Sequence, residues 1–114
     1  MFVFNRSAAI VIAKQPFLDW LHSVDPTSQH LTLDDLNEDQ SIYLLPESES
    51  DEQSGKNLRK FCQEIFREQL EAWWRDQSDW PSDLSFGEFS RWFDYEFHSM
   101  VFDVEERTLE REKA

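Results

Sequence analysis

The longest apolar pattern in the chain has the period of an α-helix. Between residues 58 and 74, apolar residues recur every three or four positions along one stripe. The stripe consists of Leu58, Phe61, Cys62, Ile65, Phe66, Leu70, Trp73 and Trp74. Charged and amide side chains occupy the opposite face, so the pattern predicts an amphipathic helix that packs on a core.

Two further helices are predicted, one before and one after this helix. The earlier one follows Pro16, whose fixed φ suits the first turn of a helix. It ends before Pro26, because the residue that precedes a proline avoids the helical region. The later one begins at Ser85, where Glu88 completes a capping box, and its apolar series covers residues 86–100.

Three short segments have the composition of β-strands. Residues 8–13 read AAIVIA, an apolar run rich in β-branched residues that is typical of a strand buried on both faces. Residues 41–45 form a second candidate, ended by Pro46. Residues 100–104, MVFDV, form a third candidate.

The order β-α-β-α-α-β predicts an α+β fold in which three helices pack on a small three-stranded sheet. The apolar character of residues 8–13 indicates that this strand lies at the centre of the sheet. Such a sheet has two free edges, and we expect nearby acidic side chains to keep the edges from pairing with other molecules.

The chain of 114 residues has the size of one domain, and no repeat or change of composition divides it. We expect a single globular domain over residues 1–104. Residues 47–55 contain four acidic side chains and no apolar one, which predicts a mobile acidic loop. Residues 105–114 have only Leu109 to bury, so we expect a frayed acidic tail.

Charge and composition exclude several classes of function. The 24 acidic residues outnumber the 11 basic ones, for a net charge of −13 at pH 7. Nucleic acids and anionic membranes are bound by Lys and Arg, so we expect neither as a direct partner. A single cysteine, Cys62, excludes an intrachain disulfide framework and a cysteine-cluster zinc site. No apolar run has the length of a membrane span or the form of a signal peptide, and we expect a cytoplasmic protein.

Four segments carry a resemblance to a known family: FNRSAAIVIAKQPFLDWL (4–21), YLLPE (43–47), IFREQLEAWWRDQSDWP (65–81) and FSRWFDYEFHSMVFDV (89–104). In these segments and in their order, the chain resembles a family of short, acidic, uncharacterised proteobacterial proteins. The matching residues are core and helix-end positions, so the resemblance implies a fold and no activity, cofactor or catalytic residue. Some members are labelled after an outer-membrane lipid-transport lipoprotein. We do not expect that label to apply, since no signal peptide or lipid-attachment cysteine lies near the start of this sequence.

The segment from Asp35 to Asp39 is the nearest approach to a metal-binding motif. Asp35 and Asp39 are spaced like two of the alternate ligand positions at the start of an EF-hand loop. However, Gln40 stands where that loop needs glycine, and Pro46 stands where it needs a bidentate glutamate. The favoured interpretation is a solvated acidic loop that follows one short helical turn, with Thr32 as its cap.

Asp94 and His98 are the nearest approach to a catalytic pair. They lie four residues apart on the predicted third helix, where the carboxylate could orient the imidazole. The nucleophile would be Ser99 or Cys62, but Cys62 lies on the apolar stripe, where a thiol is inert. A histidine that suits the dipole of the last helical turn is the commoner explanation. We therefore predict no catalytic, cofactor-binding or metal-binding residue.

Adjacent tryptophans at the end of the predicted second helix point about 100° apart, so a single core cannot fully bury both. A tryptophan, a proline and two aspartates follow within one turn, and an apolar centre with a charged border is typical of a protein interface. We call residues 73–81 the aromatic turn and predict a protein contact there. The candidate contact residues are Trp73, Trp74, Asp76, Asp79, Trp80 and Pro81. The alternative is that Trp80 folds back and covers the remaining indole.

Three functions remain open from the sequence. A small protein-interaction or regulatory module without catalysis would bind an unknown protein through the aromatic turn. An acidic decoy would instead occupy the basic surface of a nucleic-acid-binding protein, using the acidic residues between positions 31 and 55. A small enzyme of unknown chemistry is the third. Steep release by salt would distinguish the decoy from a module with an apolar interface.

Overall fold

The sheet is built around one long apolar strand. A computed structural model describes residues 1–114 and places this strand, β2, at Arg6–Ala13. The strands β3 (Ile42–Pro46) and β4 (Phe93–His98) pair antiparallel with β2 on either side, so the strand order is β3-β2-β4. The α+β fold with a three-stranded sheet and with the AAIVIA run in its central strand is therefore confirmed.

The first and last strands form a narrow ribbon beyond this sheet. β1 (Phe2–Val3) pairs antiparallel with β5 (Phe102–Asp103). Between the two sheets, the Phe4 N–H donates a hydrogen bond to the Val101 carbonyl oxygen at 3.0 Å. We call residues 1–5 and 99–104 the terminal ribbon. None of its apolar side chains belongs to the core, and no helix or strand follows it in the chain.

Four α-helices cover one face of the three-stranded sheet. They are α1 (Gln15–Val24), α2 (Leu33–Leu36), α3 (Asp51–Trp73) and α4 (Phe86–Trp92), with 3-10 turns at Pro26–Ser28 and Gln77–Asp79. Buried helix residues form one core with sheet residues such as Ala9 and Leu45. Because successive side chains of a strand point to opposite faces, Ile10 and Leu44 lie on the face away from the helices. We call this the outer face of the sheet.

Aromatic rings fill the centre of the core. Phe93, at the start of β4, packs against Phe17 of α1, Phe66 of α3 and Phe89 of α4, with ring centroids 5.0–5.4 Å apart. All four side chains are at most 1% exposed. The rings are tilted or edge-to-face, which are favoured geometries for aromatic pairs. The predicted apolar stripes of the helices therefore meet at one place.

Helix ends follow the capping residues that the sequence contains. The Ser85 hydroxyl accepts a hydrogen bond from the Glu88 N–H at 3.4 Å. Thr32 and Asp35 form a reciprocal capping box at the start of α2. Pro16 occupies the first turn of α1. The cap at Ser85, the capping box at Thr32 and the helix start at Pro16 are confirmed, because capping depends on residues that are close in the sequence. The capping box predicted at Ser85 forms only in part, since the Ser85 N–H donates to the Asp83 carboxylate and the Glu88 carboxylate accepts hydrogen bonds from Arg91 and Trp92.

The predicted third helix and third strand are wrong in extent. α4 ends at Trp92, and residues 93–98 form β4 instead of continuing the helix to residue 100. From Phe93 onward, apolar and polar residues alternate in FDYEFH, and burial alternates with them. The burial predicted for both faces of this central strand is wrong, because the helices cover one face and Ile10 and Ile12 on the other are only partly buried. Residues 93–98 pair with residues 8–13 of β2 along its second edge, and there the period of two prevails over the helical spacing. Of the strand predicted at 100–104, only Phe102–Asp103 pairs, and it pairs outside the three-stranded sheet.

The mobile loop predicted over residues 47–55 is wrong for residues 51–55, which form the first turn of α3. Ser50 caps this helix, since its hydroxyl accepts a hydrogen bond from the backbone N–H three residues on, at 3.1 Å. Ser54 is only 3% exposed. Two acidic residues that suggested a loop lie in the first helical turn, where negative charge is favoured by the helix dipole.

Candidate protein-contact site

The polar groups of the aromatic turn form hydrogen bonds within the turn and with α1. The Trp80 indole N–H donates to the Trp74 carbonyl oxygen at 2.8 Å, and the Trp74 indole N–H donates to Asp79 Oδ2 at 3.0 Å. The Asp79 carbonyl oxygen accepts a hydrogen bond from the Trp20 indole of α1 at 2.9 Å. All three tryptophans of the turn are partly buried. Trp80 thus folds back on the end of α3, as the alternative interpretation of this turn expected.

The acidic residues of the aromatic turn have partners within it as well. The Asp76 carboxylate accepts hydrogen bonds from the Ser78 hydroxyl at 2.6 Å and the Ser78 N–H at 3.1 Å. These two bonds lower the pKa of Asp76 below its ordinary value. The fold brings the predicted contact residues together, with Pro81 partly buried beside them, and each of the three tryptophans is only partly exposed. A contact role for this turn stays a prediction.

The exposed large apolar side chains lie mainly on the two sheets. Ile42 and Leu44, on the outer face of β3, are 64% and 49% exposed. Six more belong to the terminal ribbon: Met1, Phe2, Val3, Met100, Phe102 and Val104. Exposed apolar side chains that lie together mark interaction surfaces more often than single ones do. The sheets are therefore the first place to look for a contact site.

The two free edges of the three-stranded sheet differ in charge. β4 has Asp94, Glu96 and His98 at alternate positions, and charged side chains discourage another strand from pairing with an edge. β3, with the sequence IYLLP, has no charged residue. Because β3 pairs only with β2, alternate backbone N–H and C=O groups of β3 point away from the sheet. The expected acidic protection is present at one edge, and β3 is the edge open to a further strand.

A groove of about 710 Å³ runs beside the edge of β3, and we call it the β3 groove. One wall is the chain from Tyr43 to Glu47, together with Asn5 and Arg6. The other wall is a stripe of α3 that consists of Phe61, Glu64, Ile65 and Glu68. An exposed strand edge beside side-chain pockets is the arrangement with which proteins bind an extended peptide as an added strand.

The β3 groove combines apolar surface with exposed acidic side chains. Ile65 is only 4% exposed, and Phe61 is partly buried. The Lys60 ammonium lies over the Phe61 ring at 5.4 Å from its centroid, so one face of this ring already contacts a cation of the chain itself. Arg6 is the only basic residue that lines the groove. The acidic lining residues are Glu47, Glu64 and Glu68, and all three are exposed.

Tyr43 joins the edge strand to α3 within the groove. Its hydroxyl accepts a hydrogen bond from Gln69 Nε2 at 2.7 Å and donates one to Glu68 Oε2 at 3.0 Å. Burial raises the pKa of Tyr43 to about 12, and the nearby Glu68 carboxylate adds to this while the Gln69 bond opposes it. Next to this bridge, a smaller cavity of about 270 Å³ lies between residues 39–41 and α3 and reaches Trp73 of the aromatic turn.

The hypothesised catalytic pair of Asp94 and His98 does not form. Both lie on β4, where four residues span roughly 13 Å, instead of on one helical face. The Asp94 carboxylate lies 3.7 Å from Lys14 Nζ, and the His98 imidazole lies 3.8 Å from the Glu96 carboxylate. Cys62 is buried, and burial raises the pKa of its thiol. The helix-end role predicted for His98 is wrong as well, because His98 ends a strand.

Two side chains of the acidic segment at residues 35–39 form hydrogen bonds that stabilise the fold. The Asp35 carboxylate accepts a hydrogen bond from the Thr32 N–H at 2.8 Å, and its bonds to Thr32 lower the pKa of Asp35. The Asn37 amide accepts from the Ala13 N–H at 2.8 Å and donates to the Ala13 carbonyl oxygen at 3.1 Å. The Asn37 side chain thereby pairs with β2 beyond the end of β3. No group of three or more His, Cys, Asp or Glu side chains is arranged to hold a metal ion.

Sequence reasoning did not identify the β3 groove. One signal was present, since residues 42–46 form a strand without a charged side chain next to an acidic stretch. The other wall could not be found in this way, because Phe61 and Glu64 were assigned only to the two faces of a helix. Packing of α3 beside β3 brings these residues to the strand edge.

Comparison with family models, with curated proteins and with solved structures found no match to this chain. The resemblance to a family of short, acidic proteobacterial proteins stays a prediction. Among the helices of this protein, none combines the length and the apolar character that crossing a lipid bilayer requires.

Proposed function

We propose that the protein is a small protein-interaction module without catalysis, and that it binds its partner along the β3 groove. The observation that carries the proposal is an uncharged, unpaired strand edge beside a groove of about 710 Å³. Backbone groups along such an edge supply affinity, while pockets beside it supply specificity. An open edge is also an aggregation hazard that proteins normally protect, and β4 has that protection. β3 has no charged residue and only Pro46 at its end to discourage pairing, and a function for this edge explains why the rest of the strand is left open.

The exposure of β3 side chains supports the same surface. A partner strand next to β3 would cover part of Ile42 and Leu44, which the isolated chain leaves 64% and 49% exposed. Removing apolar area from water contributes roughly 25 cal/mol per Å², so this burial would favour the complex. We propose a cytoplasmic location for the module, in keeping with a chain that has a single, buried cysteine.

The acidic decoy is the second candidate, and the net charge of −13 favours it. Eight acidic residues and no basic one lie between positions 31 and 55. Several of them serve local structure, however: Asp35 belongs to a capping box, and Asp51 and Glu52 lie in the first turn of α3. A decoy needs charges that face the partner, so the β3 groove is the better supported surface.

Capture of a partner from cell extract, compared between two matched variants, tests the proposal. Leu44→Lys places a charge beside the edge of β3, and Phe102→Lys places the same charge on the terminal ribbon at nearly equal exposure, 49% against 48%. Thermal melts first establish that both variants fold. We expect Leu44→Lys to lose the captured protein and Phe102→Lys to keep it.

Two results would contradict the proposed module. Retention of the partner by Leu44→Lys would show that the edge of β3 is not used. Binding that is insensitive to Leu44→Lys, and that disappears between about 0.05 and 0.5 M salt, would assign the decoy function instead.

A further inference from the structure

We infer that the occupant of the β3 groove is an extended, basic segment of a partner protein, which adds a fourth strand to the sheet next to β3. The inference rests on the proposed function and names the chemistry of the partner at that same site. It follows from the geometry of the free edge, from the side chains on each side of that edge and from the charge of the whole chain.

The backbone of β3 sets the form of the occupant. β3 has five residues, which extend over about 17 Å. Pro46 has no N–H, and its carbonyl oxygen accepts hydrogen bonds from Ser7 and Asn57. Over the rest of β3 the unpaired backbone groups recur at every second residue, so an occupant satisfies them only when it is itself extended. A helix satisfies its own backbone groups and cannot make these bonds. The occupant is therefore a strand of about five residues.

The two sides of the edge set the side-chain pattern of the occupant. Successive side chains of an added strand point alternately to the groove and to the outer face of the sheet. On the groove side, a long basic side chain can lay its aliphatic stem beside the partly buried Phe61 and place its charge near Glu64. On the outer face, an apolar side chain can pack beside Ile42 and Leu44. The fitting segment alternates basic and apolar residues.

Electrostatics favour a basic partner over a second copy of this chain. The groove has three acidic lining residues and one basic residue, Arg6. The Arg6 guanidinium already donates hydrogen bonds to the Asn5 side chain and carbonyl oxygen at 2.8 and 2.9 Å. Two copies paired edge to edge would bring together two chains of net charge −13 and two acidic grooves. A basic strand meets the opposite charge on approach and in the complex.

Titration of the isotope-labelled full chain with defined peptides tests the inference. The probes have about nine residues, one alternating Lys with Val and the other alternating Glu with Val. We expect the Lys peptide to bind and to shift backbone amide signals at residues 42–45, 47 and 61–68, with affinity that falls as salt rises. The Glu peptide should not bind. Equal binding of both peptides, or shifts confined to other residues, would overturn the inference.

A charge reversal on α3 tests the role of the groove wall. Glu64→Lys removes an exposed acid of the groove, and Glu71→Lys makes the same change on the same helix outside it. We expect Glu64→Lys to weaken binding of the Lys peptide by about tenfold and Glu71→Lys to weaken it far less. Equal effects would indicate general attraction to an acidic protein and would contradict a specific groove.

N-methylation of single peptide amides tests strand addition itself. A methyl group removes one N–H donor, and in an added strand only every second N–H bonds to β3. We expect binding to be lost at alternate positions and kept at the positions between them. Loss at all positions, or at none, would rule out an added strand.

The outcomes separate the failure of this inference from that of the proposed function. In one outcome, Leu44→Lys loses the captured partner but the Lys peptide does not bind the wild-type chain. That outcome would overturn the inference and would still support the interaction module. A concentration-dependent dimer in sedimentation that Leu44→Lys dissociates would assign the edge to a second copy and would also overturn the inference. Peptide binding that Leu44→Lys leaves unchanged would overturn both.

Discussion

Phe93 is the residue at which three helices meet the sheet. Its ring centroid lies 5.0–5.4 Å from those of Phe17, Phe66 and Phe89, and its side chain is 1% exposed. Truncation of such a side chain removes favourable contacts and leaves a cavity that close-packed neighbours fill only in part. Phe93 is therefore the most informative position for the packing of the core.

We predict that Phe93→Ala lowers the free energy of unfolding by about 3–5 kcal/mol. Phe102→Ala is the matched control, because the same change in a side chain that is 48% exposed should cost less than about 1 kcal/mol. Denaturant titration measures both values. Similar losses in the two variants would contradict the assigned core.

Ionisation of Tyr43 makes the fold less stable as the pH becomes alkaline. Its pKa is raised from 10.0 to about 12 in the folded chain, chiefly by burial. The unfolded chain therefore loses this proton first, so the stabilisation is complete below pH 10 and is lost as the pH rises toward 12. The loss is at most on the order of 2–3 kcal/mol, and solvent screening of this partly exposed hydroxyl reduces it further.

The test compares the wild-type chain with Tyr43→Phe in denaturant titrations between pH 8 and pH 11.5. Other groups that titrate in this range are common to both proteins, so their difference isolates Tyr43. We predict that the wild-type chain loses more stability with rising pH than Tyr43→Phe does. Parallel curves would mean that the Tyr43 hydroxyl is not held as described.

Elements with one unambiguous period were predictable from the sequence. The apolar stripe of α3 and the AAIVIA run of β2 each fit a single structure. The boundary at Phe93 was not predictable in this way, because that residue fits both the helical spacing of α4 and the alternation of β4. The start of α3 was missed because acidic residues fit a loop as well as the first turn of a helix. The β3 groove needed the packing of α3 beside β3, which no local pattern contains.

The cap of α3 gives a test of that corrected boundary. We predict that Ser50→Ala lowers the free energy of unfolding by about 1 kcal/mol, because the Ser50 hydroxyl accepts a hydrogen bond from an otherwise unpaired helical N–H. Ser82→Ala, at an exposed position outside the helices, is the control and should change little. Thermal or denaturant unfolding measures the difference. If Ser50→Ala leaves the stability unchanged, the helix start at residue 51 is contradicted and the loop predicted over residues 47–55 is favoured instead.

The charge of the whole molecule sets how salt acts on its stability. The 24 acidic residues exceed the 11 basic ones, and the five ion pairs that do not involve histidine are largely exposed. Such pairs contribute little, so repulsion among the excess acids remains in the folded chain. We predict that the melting temperature rises by a few degrees between low salt and about 0.15 M sodium chloride, where the screening length is about 8 Å. A flat or falling melting temperature would contradict this balance.

Hydrogen exchange of the full chain, alone and with its captured partner, tests the central claim most directly. The claim is that the partner pairs with the free edge of β3. A newly paired backbone amide exchanges more slowly, so the position of slowed exchange identifies the bound edge. We predict slower exchange among the amides of residues 42–45, and no change in residues 93–98 of the other edge or in the aromatic turn at 73–81. Slower exchange at 93–98 or 73–81, with residues 42–45 unchanged, would contradict the account.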